Sequence, residues 1–226
     1  MIHYHGTPIT PTSEIIALAG CHFCVSFHRP DQVRVAHELG QSVMLDNGAF
    51  SVWRKGATVD WRDFYAFCET WLDCPSTWAV IPDVIGAGGQ LQDALVREWP
   101  HGHRGAPVWH MDEPISRLLS LAEDWPLTCI GSTDVYRVVL SDRWQARMDH
   151  AFNEAMSVFG RLPRFHMLRG MQLSGRRWPF FSVDSTDVAR NHNRPQNTAI
   201  KLARRWDGLQ TPVRWTLAPE QMELLQ

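Results

Sequence analysis

Short apolar runs alternate with longer amphipathic stretches along most of the chain. The runs are nearly continuous in hydrophobic residues, as expected for parallel strands that are covered on both faces. Between them, apolar residues recur at the three- and four-residue spacing of helices. Eight runs are found: Ile2 to His5, His22 to Phe27, Ser42 to Asp46, Trp78 to Asp83, Pro107 to His110, Leu127 to Gly131, Phe165 to Arg169 and Phe180 to Asp184. This alternation predicts an α/β fold, a TIM-like (β/α)8 barrel.

The helical stretches are marked by caps, by glycines and by prolines at their ends. They are Pro11 to Ala19, Pro30 to Leu39, Trp61 to Leu72, Leu91 to Trp99, Ile115 to Trp125, Asp142 to Phe159 and Gln196 to Trp206. Only Gly170 to Pro179 joins the seventh and eighth strands, which is shorter than a parallel crossover normally requires. We therefore expect a compact barrel with a truncated seventh crossover, formed by residues 1–226 as a single domain.

Polar residues and glycine end the predicted strands. In a barrel the carboxyl ends of the strands converge on one mouth, where barrel enzymes carry their chemistry. Carboxylates gathered there raise one another's pKa, a feature typical of functional sites. The strand-end residues are His5, Ser26, Asp46, Asp83, His110, Gly131, Arg169 and Asp184.

The segment from Phe180 to Asn191 is the first candidate for chemistry, because an apolar strand stops there at Asp184 and a polar loop follows. A carboxylate in that position can react at the barrel mouth. The same residue could instead cap the next helix or satisfy amides of the loop.

Two further segments suggest ligand contacts. Met44 to Trp53 passes through Asp46 and small residues before presenting Phe50, whose ring could lie on a flat heterocycle. An ordinary strand-to-helix turn would also use Asn and Gly. In Cys129 to Asp134, Gly131 and Ser132 could offer backbone amides and carbonyls to a ligand edge.

Charge is unevenly distributed along the chain. Between Arg161 and Arg205 there are ten Lys or Arg residues and two Asp, a net charge of +8 within a chain whose net charge is -2. Basic residues beside an acidic site favour a polyanionic partner, because they neutralise phosphates. A solvated helix face is the alternative interpretation.

The remaining composition limits the class of protein. No stretch approaches the roughly 20 apolar residues of a membrane span, and the first residues lack a signal-peptide pattern, so we expect a cytoplasmic protein without membrane association. The five cysteines are scattered, which argues against a disulfide framework. Cys21 and Cys24 form the only CxxC, and their offset of three predicts side chains on opposite faces of a strand, as core thiols rather than a zinc site.

Several motifs resemble the tRNA-guanine transglycosylase superfamily. LDNGAF resembles its D-S-G-G-F/Y-Q signature, and SVDSTDVARN resembles its later segment in which an Asp ends the eighth strand before an Ala-Arg. FHMLRG resembles its Leu-Met-Gly strand, and IPDV stands where the family has an Asp on the fourth strand. The short chain resembles the DNA-directed branch, the 7-deazaguanine transglycosylases of bacteria and phages.

This resemblance implies a role for each candidate residue. Asp184 would be the nucleophile that attacks C1′ of a guanosine nucleotide, and Asp46 the acid/base that handles the proton of the purine. The implied base contacts are Asp83 at the guanine edge, Phe50 by stacking, His110 as a polar contact, Gly131 and Ser132 through their backbone, and Met167 at the other face of the base. The implied nucleic-acid contacts are Arg169, Arg176, Arg177, Arg190 and Arg194.

The implied reaction replaces guanine in a nucleic acid by a 7-deazaguanine such as preQ0, without a cofactor or a catalytic metal. The zinc subdomain of the family has no counterpart here, and Ala49 and Ser51 replace the second Gly and the Gln of the signature. These differences favour DNA over tRNA as the substrate. Hydrolytic release of guanine without replacement is a variant of the same chemistry.

Two other functions compete with base exchange. A metal-dependent hydrolase of the amidohydrolase type would use His3 and His5 on one face of the first strand, with His110 and Asp184. The chain lacks the His on the sixth strand and the bridging Lys that such enzymes use. A non-catalytic nucleic-acid-binding barrel is the second alternative.

Overall fold

The computed structural model describes residues 1–57 and 59–216. Within this part of the chain, nine parallel strands form one sheet in the order β5-β4-β3-β2-β1-β9-β8-β7-β6. The two terminal strands of that order, β5 and β6, are separated only by Pro107, which lacks the N–H that would continue the ladder. The sheet therefore curls into a nearly closed barrel, and the predicted TIM-like α/β fold is confirmed.

Each of the eight predicted apolar runs overlaps a strand, and β5, which precedes the fifth run, was not predicted. Their bounds are β1 Ile2–Gly6, β2 His22–Ser26, β3 Ser42–Asp46, β4 Thr77–Val80, β5 Gly105–Ala106, β6 Val108–His110, β7 Thr128–Gly131, β8 Phe165–Met167 and β9 Ser182–Ser185.

Helices surround this sheet. Their bounds are α1 Thr12–Ile16, α2 Val33–Leu39, α3 Ala49–Lys55, α4 Arg62–Trp71, α5 Gly89–Glu98, α6 Ile115–Asp124, α7 Asp142–Phe159, α8 Asp187–Asn191 and α9 Ala199–Asp207. The sequence pattern did not predict α3 and α8, which are short and follow β3 and β9 directly. The crossover between β8 and β9 contains only a 3-10 turn, Met171–Leu173, as its length predicted.

Among residues 1–57 and 59–216, no helix has the length and apolar character needed to cross a lipid bilayer.

Side chains alternate between the barrel interior and the helix layer. A small cluster fills the interior with residues such as Tyr4, Met44 and Cys129. Two larger clusters pack the outward-facing residues against the helices. Because laterally paired residues share a face, the pairing of Tyr4 with Asp184 places Asp184 on the interior side.

Polar side chains also occupy the interior. The hydroxyl oxygen of Tyr4 accepts hydrogen bonds from Ser42 Oγ and from Trp78 Nε1, each 2.9 Å long. His166 on β8 contacts Ser182 on β9 through Nδ1 and Oγ at 2.8 Å. These hydrogen bonds fix the orientation of the Tyr4, Trp78 and His166 rings in the barrel interior, below the residues at the mouth.

Candidate active site

Two carboxylates interact at the carboxyl-terminal mouth of the barrel. Asp46 is the last residue of β3 and pairs with Ser26 of β2, and Asp184 lies near the end of β9. Burial raises the pKa of Asp46 to about 7, and the charges of Asp184 and Asp83 act in the same direction. Hydrogen bonds from the Gly48 backbone and the Ser26 side chain oppose part of this increase. The mouth therefore holds a carboxyl group that can exchange protons near neutral pH, next to a second carboxylate.

Asp184 is held by two donors on one oxygen. Its Oδ1 accepts a 2.6 Å hydrogen bond from the backbone N–H of Arg169, and Nε2 of His166 lies 3.3 Å away. His166 is fully buried and is oriented by Ser182 on its other side. Donors to Oδ1 stabilise negative charge on this carboxylate and fix its plane. We find no hydrogen-bond partner of Oδ2 within residues 1–57 and 59–216, so this oxygen can face a ligand.

Aromatic and cationic groups lie at the rim of the mouth. The guanidinium carbon of Arg169 lies 4.1 Å from the ring centroid of Phe50, a cation–π contact between the loop after β8 and the start of α3. Phe50 is 36% exposed and Trp53, one helical turn further, is 54% exposed. Their ring centroids are 5.8 Å apart. An exposed aromatic pair beside an arginine is suited to stacking against nucleobases.

A buried set of polar groups lies on the opposite side of the mouth from Asp184's partners. Asp83 accepts 2.9 Å hydrogen bonds from Asn47 Nδ2 at Oδ1 and from His110 Nε2 at Oδ2. Asn47 also donates to the carbonyl of Ile81 and accepts from the backbone N–H of Ala49. Asp83 is therefore fixed in place, and its oxygens retain lone pairs for a further donor.

The tautomer of His110 follows from the orientation of Gln92. The amide of Gln92 accepts from the N–H of Val84 and donates to its carbonyl, which determines which end is Nε2. Nε2 then donates to Nδ1 of His110 at 3.3 Å, so the proton of the neutral ring is on Nε2, facing Asp83. Burial lowers the pKa of His110, but the hydrogen bond and charge of Asp83, together with the charges of Glu113 and Asp112, outweigh burial and raise the pKa overall.

Gly48 controls the turn from β3 into α3. Its φ is 76°, in the left-handed region that favours glycine, and a side chain there would collide with the imidazole of His28. The close approach of His28 brings the β2 loop against the turn that carries Asp46 and Phe50. The absence of a side chain at Gly48 therefore allows His28 to pack against this turn.

Not all predicted base contacts face the mouth. Gly131 lies on the interior face beside His110, and its carbonyl accepts from the N–H of Met111. The Ser132 hydroxyl accepts from Trp144 Nε1 at 2.8 Å, so its side chain is directed to α7. Met167 is fully buried in the cluster between sheet and helices, because β8 turns His166 inward instead. The structure therefore does not bring Met167 to the site.

The five predicted phosphate contacts divide between two regions. Arg169 is exposed in the loop that follows β8, and Arg190 in α8 and Arg194 just after it are exposed beyond β9, on the side of the mouth. Arg177 forms an ion pair with Asp149 of α7, and Arg176 is adjacent to it in the truncated crossover. The last two arginines thus lie on the flank of the barrel, away from the rim.

The imidazoles of β1 do not reach the mouth. Tyr4 occupies the interior, so His3 and His5 point outward, where both approach Asp207 of α9. The ligand set of an amidohydrolase-type hydrolase is therefore not assembled, and the prediction that His5 faces the mouth is wrong. Within residues 1–57 and 59–216, the only group of three close metal-ligating side chains is His5, Cys21 and Asp207.

No family model matches this chain, and neither a curated protein nor a solved structure matches it. Residue roles consequently depend on the geometry of this molecule alone.

Three residues of the site were not among the predicted ones. They are His166, which contacts Asp184, Asn47, which contacts Asp83, and Gln92, which contacts His110. Asn47 follows Asp46 directly and could have been found from its position at a strand end. His166 precedes Met167, and only the strand register shows which of the two faces the interior.

Proposed function

We propose that this barrel is a base-exchange glycosyltransferase that replaces guanine in a nucleic acid by a 7-deazaguanine. The supporting observation is the pair Asp46 and Asp184, of which Asp46 has a pKa raised to about 7 by burial and by the charge of Asp184. Two carboxylates with different environments can divide the roles of proton transfer and nucleophilic attack.

In the first step, a carboxylate oxygen of Asp184 attacks C1′ of the target nucleotide and the bond between C1′ and N9 breaks. The electron pair of that bond passes to the leaving guanine, and Asp46 supplies the proton that neutralises it. The resulting glycosyl ester on Asp184 is a covalent intermediate, which divides one difficult displacement into two. The hydrogen bond from Arg169 engages Oδ1, so Oδ2 would be the attacking oxygen.

In the second step, Asp46, now a carboxylate, accepts the N9 proton of the incoming 7-deazaguanine. Its nitrogen attacks C1′ and the bond to Asp184 breaks, so the sugar retains its configuration after two inversions. The same residue acts as acid and then as base, which requires a pKa near the working pH. A pKa of about 7 for Asp46 meets that requirement.

Recognition of the purine is assigned to Asp83. Guanine presents N–H groups on its Watson–Crick edge, and a carboxylate accepts such donors. Asp83 is held by Asn47 and His110, so its acceptors are positioned before the base arrives. A base that lacks these donors would leave the remaining lone pairs of this buried carboxylate without a donor.

DNA is the proposed polymer, and its backbone would follow the exposed rim arginines Arg169, Arg190 and Arg194. A target guanine must leave the base stack to reach the interior carboxylates, at a cost of a few kcal/mol. Stacking on Phe50 would offset part of this cost.

The decisive experiment incubates the protein with single-stranded DNA, duplex DNA or tRNA and with radiolabelled guanine or preQ0. Labelled DNA is expected from the wild type, and no labelled polymer is expected from Asp184→Asn, although DNA binding should persist. Asp63→Asn, an exposed carboxylate on α4, is the matched control and should retain activity.

Three results would contradict the proposal in different ways. Full labelling by Asp184→Asn would exclude this residue as the nucleophile. Release of guanine from DNA without incorporation would indicate hydrolysis rather than exchange. DNA binding with neither reaction, for every base supplied, would indicate the non-catalytic barrel.

A further inference from the structure

A second cluster of polar side chains lies outside the barrel, between β1 and α9. His5 extends outward from β1, Cys21 immediately precedes β2, and Asp207 is the last residue of α9. One potential ligand atom from each of these residues lies within 4.8 Å of the other two. Nε2 of His5 is 3.1 Å from Oδ1 of Asp207, and Sγ of Cys21 is 4.0 Å from its Oδ2.

These separations approach those of a metal site. Around tetrahedral zinc, with bonds of about 2.0 Å to nitrogen or oxygen and about 2.3 Å to sulfur, neighbouring ligand atoms stand roughly 3.3 to 3.6 Å apart. The gap between Cys21 and Asp207 exceeds this by a few tenths of an ångström, which a thiol rotamer can close. The combination of thiolate, imidazole and carboxylate favours zinc over magnesium or calcium, which prefer oxygen ligands alone.

The hydrogen bonds of His3 provide an independent indication of a cation. The single hydroxyl hydrogen of Ser174 is donated to the carbonyl of Met171 at 2.7 Å, so Ser174 accepts from Nε2–H of His3 at 3.0 Å. The neutral ring then directs the lone pair of Nδ1 at Oδ1 of Asp207, 3.6 Å away. A lone pair that faces a carboxylate is repulsive unless a positive charge lies nearby.

His5 directs Nε2, which lies 3.1 Å from Oδ1 of Asp207, at the cluster. Its side chain is fully buried, and its Nδ1 has no hydrogen-bond partner within the described residues. The ring is therefore held by Asp207 alone, and it can bind an ion without breaking another hydrogen bond. Asp207 is 40% exposed, which gives an ion a path from solvent.

We propose that His5, Cys21 and Asp207 bind a zinc ion, with His3 as the nearest additional donor. The ion would join the end of α9 to β1 and to the start of β2, so its role is structural. Zinc binding would displace the proton of the Cys21 thiol, as thiolate ligation requires. The site lies outside the barrel and is independent of the function proposed for the mouth.

Cobalt(II) and zinc titrations of the full chain test this site. The wild type is expected to bind one Co(II) ion with a thiolate-to-cobalt charge-transfer band, and Zn(II) should displace it and raise the Tm. Cys21→Ser should remove the band, and Asp207→Asn should weaken zinc binding at least tenfold. Cys74→Ser alters a partly exposed thiol far from the cluster in sequence and should behave as the wild type.

Near-ultraviolet circular dichroism of each apo variant verifies that the fold is intact before metal is added. If a variant does not fold, the number of Co(II) ions bound by the wild type and by Cys74→Ser still tests the proposal, which expects one ion in each. Absence of stoichiometric cobalt binding by the wild type would overturn the proposal. A charge-transfer band that persists in Cys21→Ser but disappears in Cys74→Ser would overturn it as well.

Discussion

The backbone N–H of Arg169 donates a 2.6 Å hydrogen bond to Oδ1 of Asp184. Arg169 has a φ of 57°, in the left-handed region that few side-chain-bearing residues adopt, and this conformation directs its N–H inward. The guanidinium of the same residue lies over Phe50 at the rim. Arg169 therefore contacts the buried carboxylate of Asp184 through its backbone and the exposed ring of Phe50 through its side chain.

His166→Phe is expected to lower the kcat of base exchange by about 10- to 100-fold and to change KM little. The variant removes a hydrogen bond to a charged group, which contributes about 1.5 to 3 kcal/mol, while a similar ring fills the interior. Steady-state incorporation of labelled base measures the effect. His37→Phe, on α2 and away from the mouth, is the control, and an undiminished kcat in His166→Phe would remove this residue from the mechanism.

Asp184→Asn is expected to lower the pKa of Asp46 below its value of about 7. The charge of Asp184 raises that pKa, and the isosteric amide removes the charge, whereas burial, the largest cause, remains. Carbon-13 NMR titration of the Asp46 carboxyl measures the change. An identical titration midpoint in both proteins would show that the two carboxylates do not interact.

Asp46 is expected to destabilise the fold increasingly as the pH rises from about 4 to about 7. Its pKa increases from 3.8 to about 7 on folding, so the folded protein binds more protons than the unfolded chain in this window. The difference corresponds to at most about 4 kcal/mol, and solvent at the mouth reduces it to about 2 kcal/mol. Urea unfolding of Asp46→Asn should show a gain over the wild type at pH 8 that is absent at pH 4. Equal differences at both pH values would contradict the raised pKa.

Phe50→Ala is expected to weaken binding of single-stranded DNA by about 5- to 100-fold, because a stacked base contributes about 1 to 3 kcal/mol. Arg169→Ala should also weaken binding and should reduce its dependence on salt. Fluorescence anisotropy at several salt concentrations measures both. Arg176→Ala provides the matched control, since it removes an exposed arginine from the flank, and an equal loss there would argue against a binding rim.

Gly48→Ala is expected to lower the free energy of unfolding by about 2 to 4 kcal/mol, more than Gly56→Ala. Both glycines have positive φ, but only at Gly48 would a side chain meet a neighbour, the ring of His28. Chemical denaturation measures the free energy of unfolding of both variants. Gly56→Ala reports the cost of backbone strain, and the additional loss in Gly48→Ala reports the collision with His28. Equal losses would show that His28 moves aside freely, and recovery in a His28→Ala, Gly48→Ala double variant would identify the collision directly.

The alternation of strands and helices was predictable because a buried parallel strand must be apolar along its whole length. Ser42–Asp46 was placed without error, and the truncated crossover followed from chain length alone. The helix α3 was not predicted, because its residues continue a glycine-containing turn that resembles a loop. The strand β5, Gly105–Ala106, was not predicted, because it is only two residues long and lies before Pro107.

The sequence by itself determined that Asp46 and Asp184 lie at or near the ends of strands, and that parallel strands bring their carboxyl ends together. Asp83, predicted to end the fourth strand, lies three residues beyond the end of β4. It could not determine which face of a strand becomes the interior, because side chains alternate with a period of two. Closure of the barrel decides that register, and it directs His166 inward and Met167 outward. The same closure turns His3 and His5 away from the mouth and toward Asp207, a residue about two hundred positions along the chain. Contacts between segments so distant in sequence exist only once the sheet has closed.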